Sequence, residues 1–410
     1  MRGFTTRALH GAQGKPDAHG ALRFPLYENV AYTFDSARSA QLVFEGRKPA
    51  HAYSRSSNPT VEHFEQVVKN LCDAMGVIAV SSGMAAVTNV VLTLAESGAN
   101  IITSRNLFGN TVSLFERTFA PWGLSVKYVN MQQPDSLAAL LDDKTRLIFV
   151  ETITNPQIEV ADLQAVSAIA RERGVPLVID NTLTTPYLCT TKSFGAAVEI
   201  MSSTKYISGG GTGIGGLIID NGLFDWRNAP RLKAEVPRFG PATFLMKVRR
   251  EVYRNTGACL SPNNAWLQTL GLETLSMRID KSCASAQRIA EFLATHPHIA
   301  RVRYPGLSSH PHHTIAMRQF GGKCGALLSF ELASQEQCFA VIDQLKLITR
   351  ATNLNDNRTL IIHPASTIFC EFTPEENEAM QVPGTLVRLA VGIEDTQDII
   401  DDLSQALEQI

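Results

Sequence analysis

No apolar run in this 410-residue chain reaches the ~18–20 residues that span a bilayer, which argues against a transmembrane helix. Cysteine is sparse and poorly spaced for metal or disulfide chemistry. There are seven, at 72, 189, 259, 283, 324, 338 and 370, an odd number without a CxxC pair. Neither a zinc ribbon nor a disulfide framework is indicated, and a reducing cytoplasm is the natural home. Positive charge is not in surplus either. Lys plus Arg number 37 against 39 Asp plus Glu, a net charge of −2, so the phosphate-neutralising footprint of a general nucleic-acid binder is missing. The opening residues, Met1-Arg2-Gly3-Phe4-Thr5-Thr6-Arg7, lack the apolar core of a secretory signal. What is present is the composition of a soluble globular protein, 44% hydrophobic and 19% charged, at a length suited to two or three domains.

Residues 1–60 carry little apolar periodicity and many loop formers, such as Gly11-Ala12-Gln13-Gly14-Lys15-Pro16 and Arg55-Ser56-Ser57-Asn58-Pro59. A segment this long without its own core is expected to lie over another surface, either the rest of the chain or a partner subunit. A helix is expected next, with Asn58 as cap and Pro59 at its first position, where a missing N–H costs nothing. Val61, Phe64, Val68, Leu71 and Cys72 would form its buried stripe. From about 75 to 220, apolar runs at 77–80, 100–103, 124–129, 146–150, 176–179, 198–201 and 216–219 read as strands. Amphipathic stretches at 84–94, 112–119 and 163–173 fall between several of them. This rhythm predicts an α/β fold with a mostly parallel, doubly wound sheet. Residues 221–255, rich in proline, read as an excursion from the sheet. A long helix from Asn264 to about Ala294 leads into a second domain with strands near 325–332 and 386–391 and a final helix from about Asp395.

Ligands of open α/β sheets sit at the carboxyl ends of the strands, so the residues following each strand carry the functional reading. After 77–80 comes Ser81-Ser82-Gly83-Met84-Ala85-Ala86, a small-residue turn opening a helix. It could seat a phosphate on free N–H groups, or simply let helix and strand pack closely. After 176–179 comes Asp180-Asn181-Thr182. A carboxylate there needs compensation: it could hold a metal, cap a turn, or face a protonated ring nitrogen. After 198–201 comes Ser202-Ser203-Thr204-Lys205-Tyr206, and a lysine led into a cleft can form a Schiff base with an aldehyde. Gly211, Gly213 and Gly216 match a dinucleotide fingerprint in form. However, Leu217-Ile218-Ile219-Asp220 reads as a strand where that fingerprint requires a helix. Phosphate turn, strand-end carboxylate and lysine together are what pyridoxal 5'-phosphate requires. An arginine inside Leu386-Val387-Arg388-Leu389-Ala390-Val391 calls for a desolvated anion, which a substrate carboxylate or an internal acid such as Glu394 could supply.

With these motifs the sequence resembles the Cys/Met-metabolism family of pyridoxal-phosphate enzymes over nearly its whole length. The resemblance rests on Tyr53-Ser54-Arg55-Ser56-Ser57-Asn58-Pro59-Thr60, Ser82-Gly83-Met84-Ala85-Ala86, Glu151-Thr152 with Asn155-Pro156, and Asp180-Asn181-Thr182. Ser203-Thr204-Lys205-Tyr206, His363-Pro364-Ala365-Ser366 and Arg388-Leu389-Ala390-Val391-Gly392-Ile393-Glu394 extend it. It implies fold type I of the pyridoxal-phosphate transferases, with an arm over 1–60 contacting a neighbouring subunit, a large cofactor domain over 61–257 and a smaller α+β domain over 258–410. It implies that Lys205 carries the cofactor as a Schiff base and that Asp180 faces the pyridinium, with Thr182 beside it. Ser82, Gly83, Met84, Ser202 and Thr204 would hold the phosphate, and Phe108 would stack on the ring. Tyr53 and Arg55 would reach the phosphate of a neighbouring subunit, which demands at least a dimer and fits a tetramer built as a dimer of dimers. Arg388, Asn155 and Asn353 would bind the substrate.

The implied activity is γ-replacement on O-acetylhomoserine by sulfide or methanethiol, a step of methionine biosynthesis. Lys205 would serve as anchor and then as base. Cystathionine γ-synthase, O-succinylhomoserine sulfhydrylase and γ-lyase activities are the alternatives within the family. Three departures bear on this choice. Phe108-Gly109-Asn110-Thr111 stands where most members carry a tyrosine; a phenyl ring stacks but transfers no proton, which favours an acylate leaving group over a thiolate. Ile368-Phe369-Cys370 replaces the usual Thr-His after His363-Pro364-Ala365-Ser366-Thr367, and Asn353-Leu354-Asn355-Asp356 replaces Ser-Leu-Gly-Asp. His310-Pro311-His312-His313 has no acid or cysteine at ligand spacing and is expected to be a surface loop without metal.

Overall fold

A computed structural model describes residues 2–11, 19–131 and 134–410; Met1 and the loop formers at 12–16 lie outside the described residues. Seven strands form the large sheet: β1 (Gly76–Val80), β2 (Asn100–Thr103), β3 (Ser125–Tyr128), β4 (Thr145–Glu151), β5 (Leu177–Asp180), β6 (Val198–Met201) and β7 (Gly216–Asp220). Their order is β1-β7-β6-β5-β4-β2-β3. All run parallel except β7, which is antiparallel to both its neighbours. Strands β4 to β7 are almost wholly buried, as a sheet covered on both faces requires. The ends of β1, β4, β5 and β6 therefore converge on one rim, joined there by the start of β7.

The helix at Pro59–Cys72 forms as its signals predict: the Asn58 side chain accepts from Thr60 N at 2.9 Å, with proline in the first turn. Phe64, Val68, Leu71 and Cys72 are buried. Gly83–Leu94 is capped by Ser82, whose hydroxyl accepts from Ala85 N at 3.0 Å. The helix expected at 112–119 instead begins at Gly109–Ser113 and widens into a π-helix over Leu114–Phe119. The 221–255 excursion is a chain of short helical turns, pinned by Trp226 stacked 4.7 Å from Phe244.

The second sheet contains β8 (Arg301–Arg303), β9 (Leu327–Glu331), β10 (Thr349–Arg350), β11 (Leu360–Ile362) and β12 (Leu386–Ala390), ordered β10-β11-β12-β9-β8. The helix expected from Asn264 to Ala294 is two helices, Pro262–Glu273 and Leu275–Ala294. Arg278 explains the break: its guanidinium takes Gly271 O at 2.6 Å and Tyr206 O at 2.7 Å, satisfying a carbonyl that the first helix leaves free at its end. One continuous apolar core runs from Phe64 through Ile148 and Ile179 to Leu328, Leu389 and Leu403, joining the two sheets.

The amino-terminal segment forms no core of its own. Helix Phe4–His10 lies on its own chain, with Arg7 Nη1 donating to Asn70 O at 2.9 Å and Phe4 edge-on to Tyr187 at 5.1 Å. Beyond it, Leu22, Leu26, Tyr27, Val30 and Tyr53 are exposed. Among the described residues no helix is long and apolar enough to cross a membrane.

Candidate active site

A cavity of about 440 Å³ opens at the converging strand ends. Each wall follows from the strand that precedes it. From β1 come Ser82, Gly83 and Met84; β4 supplies Glu151 and then Asn155; β5 supplies Asp180 and Thr182; β6 is followed by Ser202, Thr204 and Lys205. Phe108 enters from the turn after β2, and Arg388 from the middle of β12. Residues some 300 positions apart in sequence are thus brought together by topology alone.

The Gly83 turn fits a phosphate. A Cβ at Gly83 would lie 2.7 Å from Ser202 Cβ, so only glycine lets the β1 and β6 turns pinch together. Gly83 and Met84 N–H are first-turn groups without intrahelical partners, and they line the cavity beside Ser202. Thr204 is committed differently: its hydroxyl lies 3.2 Å from Gly215 O and 3.1 Å from Gly215 N, closing the turn into β7. Gly216, which also belongs to the formal dinucleotide pattern, packs without room for a side chain on the Ser82 carbonyl. The pattern therefore enters a strand, and its glycines serve packing.

Asp180 accepts from Thr182 N at 2.9 Å, and Thr182 Oγ1 accepts from Ser202 N at 2.8 Å, so the carboxyl is held by two adjacent turns. Burial pushes its pKa up, while the Thr182 hydrogen bonds oppose this. Glu151 stands opposite it in the β4–β5 register and accepts from Phe108 N at 2.9 Å. Burial, then the neighbouring Asp180, push the Glu151 carboxyl well above the carboxylate range. Of the pair, Glu151 is the carboxyl pushed further towards its protonated form, because the Thr182 hydrogen bonds favour the Asp180 anion. Behind them, Asn181 donates to the buried Glu199 at 2.9 Å, whose carboxyl burial raises to about 7.

Lys205 is mostly buried, and its amine donates to Asn353 Oδ1 at 2.8 Å. Burial first, then Arg388, push its pKa down to about 8, with Asp356 opposing. Arg388 is 1% exposed. It donates to Asn155 Oδ1 at 3.2 Å and to the carbonyls of Thr352 and Asn353 at 3.0 Å each, and burial lowers its pKa to about 9. Its Nε is buried without a partner. Glu394 does not pair with it; that carboxylate takes Thr359 N at 2.6 Å and Thr359 Oγ1 at 2.8 Å. Among the described residues no carboxylate forms an ion pair with Arg388, so a buried cation awaits an anion inside the cavity.

Two expected residues lie elsewhere. Tyr53 is 44% exposed, and Arg55 donates to Arg254 O at 2.6 Å; neither lines the cavity of its own chain. Asn353 reaches the site through Lys205 rather than by lining the cavity. Glu151 is the residue whose part the sequence reasoning missed, although it ends β4 just as Asp180 ends β5. Ile214, Leu354 and Ile368 complete an apolar part of the wall. The histidine run binds backbone: His312 Nδ1 accepts from Val160 N at 3.1 Å, and His313 Nδ1 lies 2.9 Å from Pro305 O. No group of three or more possible metal ligands occurs among the described residues.

Lys205, Asp180, the Gly83 turn and an Arg388 without an ion-pair partner thus share one cavity. The chain matches the model of the Cys/Met metabolism PLP-dependent enzymes over residues 5–408, and it belongs to that family. Pyridoxal phosphate is its cofactor. Among its relatives is the O-acetyl-L-homoserine sulfhydrylase 1 of Thermus thermophilus, 37% identical, the match covering 98% of this chain and 99% of that one. The structure of the O-acetylhomoserine sulfhydrylase of Wolinella succinogenes is 41% identical with a TM-score of 0.80, over 99% of this chain and 100% of the other. A structure from Campylobacter jejuni, named for an O-acetylhomoserine (thiol)-lyase, superposes with a TM-score of 0.95 at 35% identity over 99% of this chain and 100% of that one. It carries N'-pyridoxyl-lysine-5'-monophosphate at position 205.

Proposed function

We propose that this chain catalyses γ-replacement on O-acetyl-L-homoserine, exchanging the acetoxy group for a sulfur nucleophile, sulfide or methanethiol. The observation that carries the reading is the charge inventory of the cavity. Lys205 and Arg388 are the only cations lining it among the described residues, and the remaining wall includes Val87, Leu183, Ile214, Leu354 and Ile368. Arg388, whose Nε is the unpartnered donor, takes the α-carboxylate, and Lys205 is needed for chemistry. Within the chain no third cation lines the cavity for the distal carboxylate of a succinyl ester, and Arg55 of a second subunit would be spent on the phosphate, so an acetyl ester fits better.

The bound cofactor supplies an electron-accepting ring that lowers the barrier to removing protons near the substrate amine. Asp180, whose anion the Thr182 hydrogen bonds favour, maintains the charge on that ring's nitrogen. Gly83, Met84 and Ser202 would hold the phosphate, and Lys205 would hold the aldehyde as a Schiff base. The freed Lys205 amine, with its basicity tuned towards neutrality, takes and returns protons at the substrate carbons. Phe108 stacks without donating a proton, and acetate leaves without needing one. Asn155 and Arg388 fix the carboxylate end.

Tyr53 and Arg55, exposed in their own chain, complete the phosphate site of a second subunit in a dimer of dimers. The arm at 1–60, the cofactor domain at 61–257 and the smaller domain at 258–410 are the units of this assembly. The unpaired cysteines of the described chain suit a reducing cytoplasm. The test is a steady-state comparison of O-acetyl- and O-succinylhomoserine, each with sulfide and with methanethiol. Faster turnover of the acetyl ester supports the reading. Preference for the succinyl ester, or faster thiol release from methionine or cystathionine than consumption of the acetyl ester, overturns it.

A further inference from the structure

The glycine-rich run after Lys205 packs against the turn at 353–357, the stretch in which this chain departs from its family. Asn355 takes φ 53°, a left-handed conformation that asparagine tolerates, and the tight turn sets Asn353 and Asp356 face to face. Asn353 Nδ2 donates to Asp356 Oδ2 at 2.9 Å, and Asp356 Oδ1 accepts from Arg358 N at 3.2 Å. The pair needs the glycines: a Cβ on Gly211, itself at φ 65°, would lie 2.6 Å from Asp356 Oδ2 and 2.9 Å from Asn353 Nδ2. Asn357 Nδ2 fastens the same loop through Gly209 O at 2.7 Å.

Asn353 sits between the two cations of the site. Its side-chain oxygen receives an N–H from Lys205 at 2.8 Å, and its main-chain oxygen receives one from Arg388 at 3.0 Å. The orientation of its amide decides what Lys205 can do. A neutral amine has two N–H bonds and one lone pair. Donating an N–H to Asn353 Oδ1 leaves the lone pair free to accept a proton. With the amide reversed, its NH2 group would donate to that lone pair and occupy it. An ionised carboxylate only accepts, so Asp356 allows one orientation: amide nitrogen towards itself, amide oxygen towards Lys205.

We infer that Asp356 is a positioning residue for the reaction, acting through Asn353 to keep the lone pair of the free Lys205 amine available. The inference rests on the reading of Lys205 as base but not on the identity of the ester. The charged and titratable groups facing the amine are Arg388 from β12, Asp356 from the turn, and Asp180 and Glu151 from β5 and β4. Arg278 lies on the other side of the glycine loop, 3.6 Å from the position of a Cβ on Gly209.

Two variants separate orientation from charge. Asp356→Ala removes the acceptor and frees the amide; kcat falls at least ~10-fold, as misplacement of a reacting group does, while KM for the acylhomoserine changes less than ~2-fold. Asp356→Asn can still accept from Asn353 and loses less kcat. A second readout uses the apoprotein: acylation of Lys205 followed across pH by peptide mass spectrometry. The wild-type inflection is expected near pH 8, and it moves to lower pH in both variants because the opposing negative charge is gone. Equal kcat in Asp356→Ala and wild type, or inflections unmoved in both variants, overturns the inference. Should Asp356→Ala fail to fold, Asp356→Asn decides: its amide no longer dictates the orientation of Asn353, so kcat falls, and a kcat equal to wild type overturns the inference. An unexpected ester preference with the inflections moved would refute the substrate assignment and leave this inference standing.

Discussion

Arg388→Lys is the sharpest perturbation of the substrate site. The native guanidinium is 1% exposed and spends Nη1 and Nη2 on three oxygens, leaving Nε buried without a partner. Lysine keeps the charge and the aliphatic stem but loses the planar fork that matches a carboxylate. Removing one side of a buried hydrogen-bonded charge pair costs about 2–5 kcal/mol; because lysine keeps the charge, the lower part of that range, about 2–3 kcal/mol, applies, which at ~1.4 kcal/mol per tenfold is roughly 30- to 140-fold in kcat/KM. The α-carboxylate is held before and during the reaction alike, so the loss should fall mainly on KM. The assay is steady-state turnover of O-acetylhomoserine by wild type and variant at saturating sulfide, with thermal melting as a control for folding. A KM for the variant within threefold of wild type, in a protein that melts normally, would refute the assignment of Arg388 to the carboxylate.

Other outcomes follow from the same geometry. Gly83→Ala forces a Cβ to within 2.7 Å of Ser202; cofactor occupancy, read as bound visible absorbance after dialysis, should drop while the fold survives, and undiminished occupancy would contradict the phosphate turn. Lys205 has its pKa lowered to about 8 on folding, so below pH 8 folding must keep a proton on a buried amine, and this penalty fades as pH rises from 8 towards the unfolded lysine range. The apoprotein of Lys205→Met should therefore melt above wild-type apoprotein at pH 7, with the gap narrowing at pH 10; a gap that widens would be inconsistent. Phe108→Tyr adds a phenol hydroxyl to the cavity wall, and thiol release from methionine should rise relative to acetate release from O-acetylhomoserine. An unchanged ratio would remove Phe108 from the account of leaving-group choice.

The strands of the large sheet were legible because they are short, continuous apolar runs ended by small or polar residues. The apolar runs at 100–103 and 198–201 coincide with β2 and β6, and the other five runs lie within one residue of β1, β3, β4, β5 and β7 at each end. The Asn58-Pro59 cap was equally plain, since Asn and Pro act locally. Less could be read where tertiary partners decide. Arg301–Arg303 and Thr349–Arg350 carry charge and little apolar content, and they are strands only because β9 and β11 offer free edges. The break at Thr274 depends on Arg278 reaching back to Gly271. In the cavity, Lys205, Asp180 and the Gly83 turn follow strand ends, the rule that singles them out in the sequence. Glu151 obeys the same rule, but its apparent redundancy with Asp180 hides the unequal surroundings of the two carboxyls. The isolation of Arg388 from Glu394 could be seen only once Thr359 was found to hold that carboxylate.

The most direct test asks which side chain holds the cofactor. Borohydride reduction of the purified holoprotein, proteolysis and peptide mass spectrometry should find the pyridoxyl group on Lys205, and Lys205→Ala should neither retain that label nor turn over O-acetylhomoserine. A label on another lysine, or full turnover by the alanine variant, would contradict the account at its root.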